Sequence, residues 1–319
     1  FQEGVTWFDT ALSYGWGSSH RAIANFLTQI GDRKDLWLTS KSGAERVSGL
    51  QTGIDEALDE LGTDYLDLYL MHGIDDARML DREYLALGEK LKARGKTRFF
   101  GFSCHDGNVV ALMNRAAEVG GIDAIMFRYN FRRYGDLELN RAIDACHRAG
   151  IGLLAIKTQG SVPRDLESVV GFQSDNFTLG QAKLKSVWAD ERIDSIVSEM
   201  DSVRFVRENV DAARSEKPLT AEESHQLNQL AALTAAYACN GCNHLCEQTI
   251  ARDVAIAESL RYLMYFECYG KTDRARDLYQ TIPVARREVS DKELQRACQV
   301  CPQGIDIPAR LRRARELLA

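Results

Sequence analysis

Four polar residues of the first quarter of the chain have types and spacings that suit proton transfer. Asp9 and Tyr14 stand five apart in Asp-Thr-Ala-Leu-Ser-Tyr-Gly, Lys41 closes Thr39-Ser40-Lys41, and His72 follows Met71. A tyrosine hydroxyl, with a pKa of about 10, is a poor acid at neutral pH unless a nearby cation stabilises its phenolate. Lys41 would supply that charge, Asp9 would keep Lys41 protonated, and His72 would orient a carbonyl oxygen or pass the proton. Such a set suits the protonation of an alkoxide as hydride arrives at carbon. Each residue alone has an ordinary reading as a turn aspartate, a capping tyrosine, a surface lysine or a core imidazole. Together, at the ends of three successive apolar runs, they read as catalytic.

A second group lies far downstream. The chain has eight cysteines; Cys104 and Cys146 stand alone, while Cys239, Cys242, Cys246, Cys268, Cys298 and Cys301 crowd together near the end. Small disulfide scaffolds are short and this chain is not, so Cys239-x2-Cys242-x3-Cys246 reads as metal ligation.

The elements that must position these residues are legible as a regular alternation. Near-continuous apolar runs occur at Val5–Phe8, Leu36–Thr39, Tyr65–Met71, Arg98–Ser103, Ala124–Tyr129, Gly152–Ile156 and Ile193–Ser198, as expected of parallel strands covered on both faces. Helical faces lie between them, such as Ile54, Ala57, Leu58 and Leu61, and Val109, Leu112, Met113 and Ala116. The alternation predicts right-handed βαβ units and an α/β fold. Seven units are seen, and Phe1-Gln2-Glu3-Gly4 looks like the tail of a helix. A (β/α)8 TIM barrel lacking its first strand and helix is therefore favoured over an open doubly wound sheet, for which no Gly-x-Gly-x-x-Gly follows the first run. The chain opens mid-pattern, without an initiator Met, and reads as processed or truncated at its N-terminus.

A boundary is expected near Glu216-Lys217-Pro218, giving a barrel over 1–216 and a helical cysteine-rich domain over 217–319. Helices are expected at Ala221–Ala236, Ile250–Cys268 and Asp273–Thr281, and in a last one opened by Pro308. The longest connection, Gln159–Asn176, lies at strand ends, where loops usually serve function. Of the 319 residues, 45% are hydrophobic and 27% charged, the composition of a chain able to bury a full core. A net charge of −6 disfavours sequence-independent nucleic-acid binding, and no apolar run approaches the length of a membrane span.

Asp9-Thr-Ala-x-x-Tyr14-Gly, Thr39-Ser-Lys41, Asp67-Leu-Tyr-Leu-Met-His72-Gly and Gly101-Phe-Ser-Cys104 together resemble the aldo/keto reductase family, from Phe1 to about Ala213. The resemblance implies NAD(P)H-dependent carbonyl reduction in a (β/α)8 barrel, with Tyr14 as proton donor supported by Asp9, Lys41 and His72. It also implies a cofactor side built from Ser103, Cys104, Tyr129, Asn130, Lys157, Glu208 and Asn209. Three positions depart from the family: Cys104 stands for the usual Asn, Met126 for the Gln of Gln-x-x-Tyr-Asn, and Glu199 for a Gly or cation in the phosphate stretch. A carboxylate there would repel a 2′-phosphate, which leaves NADH a rival of NADPH.

Cys239-x2-Cys242-x3-Cys246 with a distant Cys301-Pro302 resembles a ferredoxin-like iron–sulfur segment, whose usual run is Cys-x2-Cys-x2-Cys-x3-Cys-Pro. The resemblance implies one [4Fe-4S] cluster on Cys239, Cys242, Cys246 and Cys301; zinc on the same four is the alternative. Cys298 is an alternative to Cys301, His244 a hydrogen-bonder beside the site, and Cys268 and Cys146 small buried hydrophobes.

The resulting expectation is a carbonyl reductase carrying a structural or redox-active cluster. Its partners would be a small carbonyl substrate and, as a candidate, an electron-transfer protein, with neither nucleic acid nor membrane. The rivals are an electron-transfer or interaction protein whose barrel no longer binds nicotinamide, and a zinc-stabilised binding module. Thiolate ligation makes the cytoplasm the default compartment; export of the folded protein to the periplasm would give the same chain.

Overall fold

The computed structural model describes every residue except Asp106 and Ser161, and the backbone alone of Arg164. Seven strands, β1 Trp7–Asp9, β2 Trp37–Ser42, β3 Leu66–Met71, β4 Thr97–Cys104, β5 Ala124–Arg128, β6 Gly152–Ile156 and β7 Ser195–Ile196, form one parallel sheet in chain order. Each strand pairs with the next, as in Lys41 beside Leu70 and Ser103 beside Met126. Between strands run α1 Ser18–Leu27, α2 Val47–Leu61, α3 Arg82–Ala93, α4 Val109–Val119, α5 Leu137–Arg148 and α6 Leu179–Trp188, and α7 Val203–Arg214 follows β7.

The sheet curls but does not close. β1 pairs only with β2 and β7 only with β6 among the described residues, so the seven units expected of a barrel without its first strand form a curled, open sheet. An eighth strand would have to bridge β1 and β7, and among the described residues none does. Curling leaves an inner layer of Leu68, Leu70, Ala124, Met126, Leu154 and Ile156, with Trp7, Trp37 and Val197 against it. The outer faces of the strands and the inner faces of the helices share a second, larger core that includes Tyr69, Phe100, Phe102, Ile125, Phe127 and Ile143. Side-chain direction alternates along each strand, and this alternation sorts residues between the two cores.

At the end of the sheet where the strands begin, Asp67 is buried and accepts from the backbone of Leu38 at 2.8 Å and from Arg33 and Arg98 at 3.0 and 2.8 Å. That leaves the opposite rim, at the strands' C-terminal ends, for the site.

Beyond α7 the chain is helical: α8 Ala221–Leu233, α9 Ile256–Tyr269, α10 Thr272–Thr281, α11 Asp291–Gln299 and α12 Ile307–Leu318. Helix α8 starts in a capping box between Thr220 and Glu223. It packs Leu227 and Leu230 against Phe131, Phe177 and Ala182 of the sheet portion. The later helices build two apolar cores of their own. One is formed by Ile256, Leu260, Leu294, Ile305 and Leu311 beside the cysteines, the other by Leu263, Tyr279, Ala314 and Leu318. Among the described residues, no helix is long and apolar enough to cross a membrane.

Candidate functional site

The strand ends deliver the four expected polar residues to one rim. Asp9 is the last residue of β1, Lys41 lies near the end of β2, and His72 follows β3, its N–H donated to the Ser42 carbonyl at 2.9 Å. Tyr14 opens a single turn in which Gly15 and Gly17 adopt the left-handed backbone that glycine tolerates best.

Lys41 is buried and spends all three donors. Its Nζ bonds Asp9 Oδ1 and Oδ2 at 2.6 and 2.7 Å and the Thr10 carbonyl at 2.7 Å. The same ammonium lies 5.0 Å from the centre of the Tyr14 ring. His72 meets Tyr14 edge to face with ring centres 5.6 Å apart.

Burial pushes the Asp9 carboxyl up and the Lys41 ammonium down, and their ion pair opposes both shifts. Burial raises the Tyr14 phenol, helped by Asp9, so Tyr14 holds its proton at neutral pH. His72 is pushed down to about 3 by burial and then by Lys41, Arg261 and Arg274. It is therefore a neutral imidazole, able to donate one hydrogen bond to a carbonyl oxygen.

These residues border a cavity of about 2020 Å³ that runs from Tyr14 and His72 past Ser103 and Lys157 to Glu208 and Asn209. Such a volume exceeds an ordinary small-ligand pocket and suits a cofactor and a substrate together. The N-terminal turns of α6 and α7 border it as well, and the partial positive charge of a helix N-terminus favours anions.

Of the expected cofactor residues, Ser103, Lys157, Glu208 and Asn209 line this cavity; Cys104, Tyr129 and Asn130 do not. The cause is strand alternation. Cys104 shares parity with Phe100 and Phe102, and Tyr129 with Ile125 and Phe127, so both enter the outer core. Tyr129 donates its hydroxyl to Asp190 at 2.6 Å. Asn130 donates to the Lys157 carbonyl at 2.9 Å, so it supports Lys157, whose φ of 57° lies in the left-handed region that non-glycine residues avoid. Met126 faces the cavity, and Glu199 pairs with Lys271 at 3.1 Å.

The far wall of the cavity, which strand-end logic did not reveal, comes from the C-terminal helices. Arg261 and Tyr265 of α9 and Arg274 of α10 line it, as does His105 after β4. Lys157 Nζ lies 4.8 Å from the Tyr265 ring centre, and the Arg274 guanidinium lies 5.8 Å from that of Tyr14. Burial pushes the Tyr265 phenol up, but Lys157, Arg261 and Arg128 outweigh it and draw it below the ordinary value. Helical periodicity marks Tyr265 only as apolar, so no local signal names it as a site residue.

The cysteines gather elsewhere. Cys239, Cys242, Cys246 and Cys301 line one small cavity walled by Ile256, Leu260, Ile305 and Ile307. Cys298 packs against the neighbouring core and does not line the cavity; His244 is exposed. Gly241 donates its N–H to Cys239 Sγ at 3.4 Å. Burial raises the thiol of Cys239 to about 11 and that of Cys246 to about 12, with neighbouring cysteines adding to both. A bound cation would lower such pKa values and relieve that repulsion, so the donor set fits a metal group. Among the described residues, however, no three His, Cys, Asp or Glu side chains are drawn to the spacing of a single-ion site. Burial likewise raises Cys146 and Cys268 to about 12, and Cys146 lies in the outer core.

With this geometry established, comparison with known proteins is direct. A sequence model of the aldo/keto reductase family matches residues 1–163, just over half of the chain. The chain belongs to the aldo/keto reductase family. It is 28% identical over 139 residues to the aldo-keto reductase yakc [NADP(+)] of Schizosaccharomyces pombe, covering 40% of each chain. It is 26% identical over 244 residues to L-galactose dehydrogenase of Arabidopsis thaliana, covering 66% of this chain and 75% of that one. Among solved structures, the holo form of aldo-keto reductase AKR11C1 from Bacillus halodurans superposes with a TM-score of 0.60 at 22% identity. That match covers 72% of this chain and 83% of that one, and it shows a shared fold. The chain spans about two fifths of the length of the first curated relatives that it matches.

Proposed function

We propose that the protein is an NAD(P)H-dependent carbonyl reductase with Tyr14 as proton donor, in a chain whose residues 217–319 carry one [4Fe-4S] cluster. The observation that carries the reading is the buried Lys41–Asp9 pair set 5.0 Å from the Tyr14 ring, with neutral His72 beside it. Ser103, Glu208 and Asn209 would hold the nicotinamide cofactor, which supplies a hydride when bound. His72 would donate to the substrate oxygen and fix its direction. Tyr14, still protonated, would give its proton to that oxygen as charge develops there. Asp9 holds the Lys41 charge in place near the phenol. The NADP(+) in the name of the fission-yeast relative supports a phosphorylated cofactor.

The four cysteines would hold the cluster, which supplies either a fold-stabilising crosslink or a one-electron centre. Four thiolates on one zinc would bring their sulfurs within about 4 Å of one another. The four cysteines line one small apolar-walled cavity, and the Cys-x2-Cys-x3-Cys run with a distant Cys-Pro supports the cluster over zinc. The outward turn of Cys104 and Tyr129 favours a second reading, an electron-transfer or interaction protein that binds no nicotinamide.

Anaerobically purified protein tests both readings: NADPH binding followed by fluorescence, and carbonyl-dependent NADPH oxidation. Tight binding with turnover that Tyr14→Phe abolishes supports the reductase; absence of any binding supports the second reading. Iron and acid-labile sulfide content tests the cluster separately.

A further inference from the structure

The residues that face Tyr14 and His72 across the cavity bear on what kind of carbonyl compound fits there. Two phenols line the cavity here, Tyr14 from the sheet portion and Tyr265 from α9, and each has a cation near its ring. Arg274 lies 5.8 Å from the Tyr14 ring centre and Lys157 4.8 Å from that of Tyr265. Among the described residues, no carboxylate lies within 4.0 Å of the nitrogens of Lys157 or Arg274, whereas Lys41 and Lys271 nearby are paired with Asp9, Glu199 and Asp201. Arg261 lines the same wall, close to Glu258 at 3.5 Å. His105 adds a second kind of signal. Its Nδ1 is buried with no hydrogen-bond partner among the described residues, and the ring borders the cavity. Buried polar atoms are rarely left unpaired, and one at a cavity wall points to a group supplied by a ligand.

We infer that the substrate is an anionic carbonyl compound, an oxo- or aldehydo-acid. Its carboxylate would be received by Arg274 and Lys157, with a further hydrogen bond to His105, while its carbonyl faces Tyr14 and His72. This inference rests on the reductase reading and adds the substrate class. The carboxylate takes no part in the redox change: R–CHO + NAD(P)H + H⁺ gives R–CH2OH + NAD(P)⁺. It is a handle whose charge is worth most in a partly desolvated wall. Because Arg274 and Tyr265 come from α10 and α9, specificity would be written largely by the C-terminal helices.

The test compares 4-carboxybenzaldehyde with 4-nitrobenzaldehyde, whose carbonyls are similarly activated, on the whole anaerobically purified chain and on Arg274→Gln. Binding of 4-(hydroxymethyl)benzoate to both proteins is measured by calorimetry. The expected result is a kcat/KM for the carboxylate substrate at least about tenfold above the nitro compound. In Arg274→Gln the KM for the carboxylate substrate and the Kd for the acid both rise about tenfold, and the preference for the carboxylate substrate over the nitro compound falls by a similar factor. Equal kcat/KM for the two aldehydes overturns the inference and leaves the reductase reading standing. Failure of both aldehydes, together with acid binding that depends on Arg274, sustains the anion site and removes the reductase reading. Failure of turnover and of acid binding overturns both.

Discussion

Gly107 donates its backbone N–H to the carbonyl of Gly241 at 2.7 Å, and a Cβ placed on Gly107 would run into the Cα of Cys242. The cysteine loop is thus seated directly on the turn that follows β4, and Arg128 at the end of β5 donates to the Cys239 carbonyl at 2.5 Å. Gly107→Ala must push this loop away. On the proposed reading, the expected outcome is loss of most of the iron and of the broad absorbance near ~400 nm that a cluster on these cysteines would give, with the far-UV circular dichroism of the sheet portion retained. Iron retained at the wild-type level would count against a rigid seat.

Tyr14→Phe removes the hydroxyl and keeps the ring that packs against His72. The kcat for carbonyl reduction should fall about 10²- to 10⁴-fold while the Kd for NADPH stays within twofold, because the role proposed for the lost group is proton transfer alone. Single-turnover kinetics together with fluorescence titration would check both halves.

The depressed pKa of His72 has a defined stability signature. Its folded value of about 3 lies below the unfolded value of about 6.5. Between the two, the unfolded chain binds the extra proton. The stability is therefore present above pH 6.5 and is lost as pH falls from 6.5 toward 3. Thermal melting should drop more between pH 7 and pH 5 in the wild type than in His72→Gln. Over the same interval, the protonation state of His72 should put no inflection into the pH–rate profile.

Glu199 is held by Lys271 of the C-terminal portion at 3.1 Å, next to the groove that would take the cofactor. Lys271→Ala leaves that carboxylate uncompensated. The Kd for NADPH should rise by about fivefold relative to that for NADH, as expected for an exposed pair worth about 1 kcal/mol. The ratio should collapse toward one at high salt. An unchanged ratio would mean that the 2′-phosphate end lies elsewhere.

Much of this architecture was readable because parallel strands send all their C-terminal ends to one rim. An apolar run followed by a polar residue therefore located Asp9, Lys41 and His72 without knowledge of contacts. Cys104 and Tyr129 lie away from the cavity for a local reason: they follow the pleat of their own strands, in step with Phe102 and Phe127. Helix α11 was missed although Ser290 and Glu293 form a capping box, a signal visible as Ser-x-x-Glu. Arg274 and Tyr265 are different. They reach the site because α9 and α10 cross the mouth, a packing event between residues far apart in sequence that no local pattern encodes, whereas His105 directly follows β4, where strand-end reasoning could have found it.

The open sheet sets a limit on how the chain meets copies of itself. β1 has three residues and β7 two, and among the described residues each has a strand partner on one side. Free edges are templates for growth, but edges this short offer only two or three rungs to an incoming strand. Association through them would be weak and concentration-dependent, giving a reversible rise in apparent mass in a dilution series rather than a fibre.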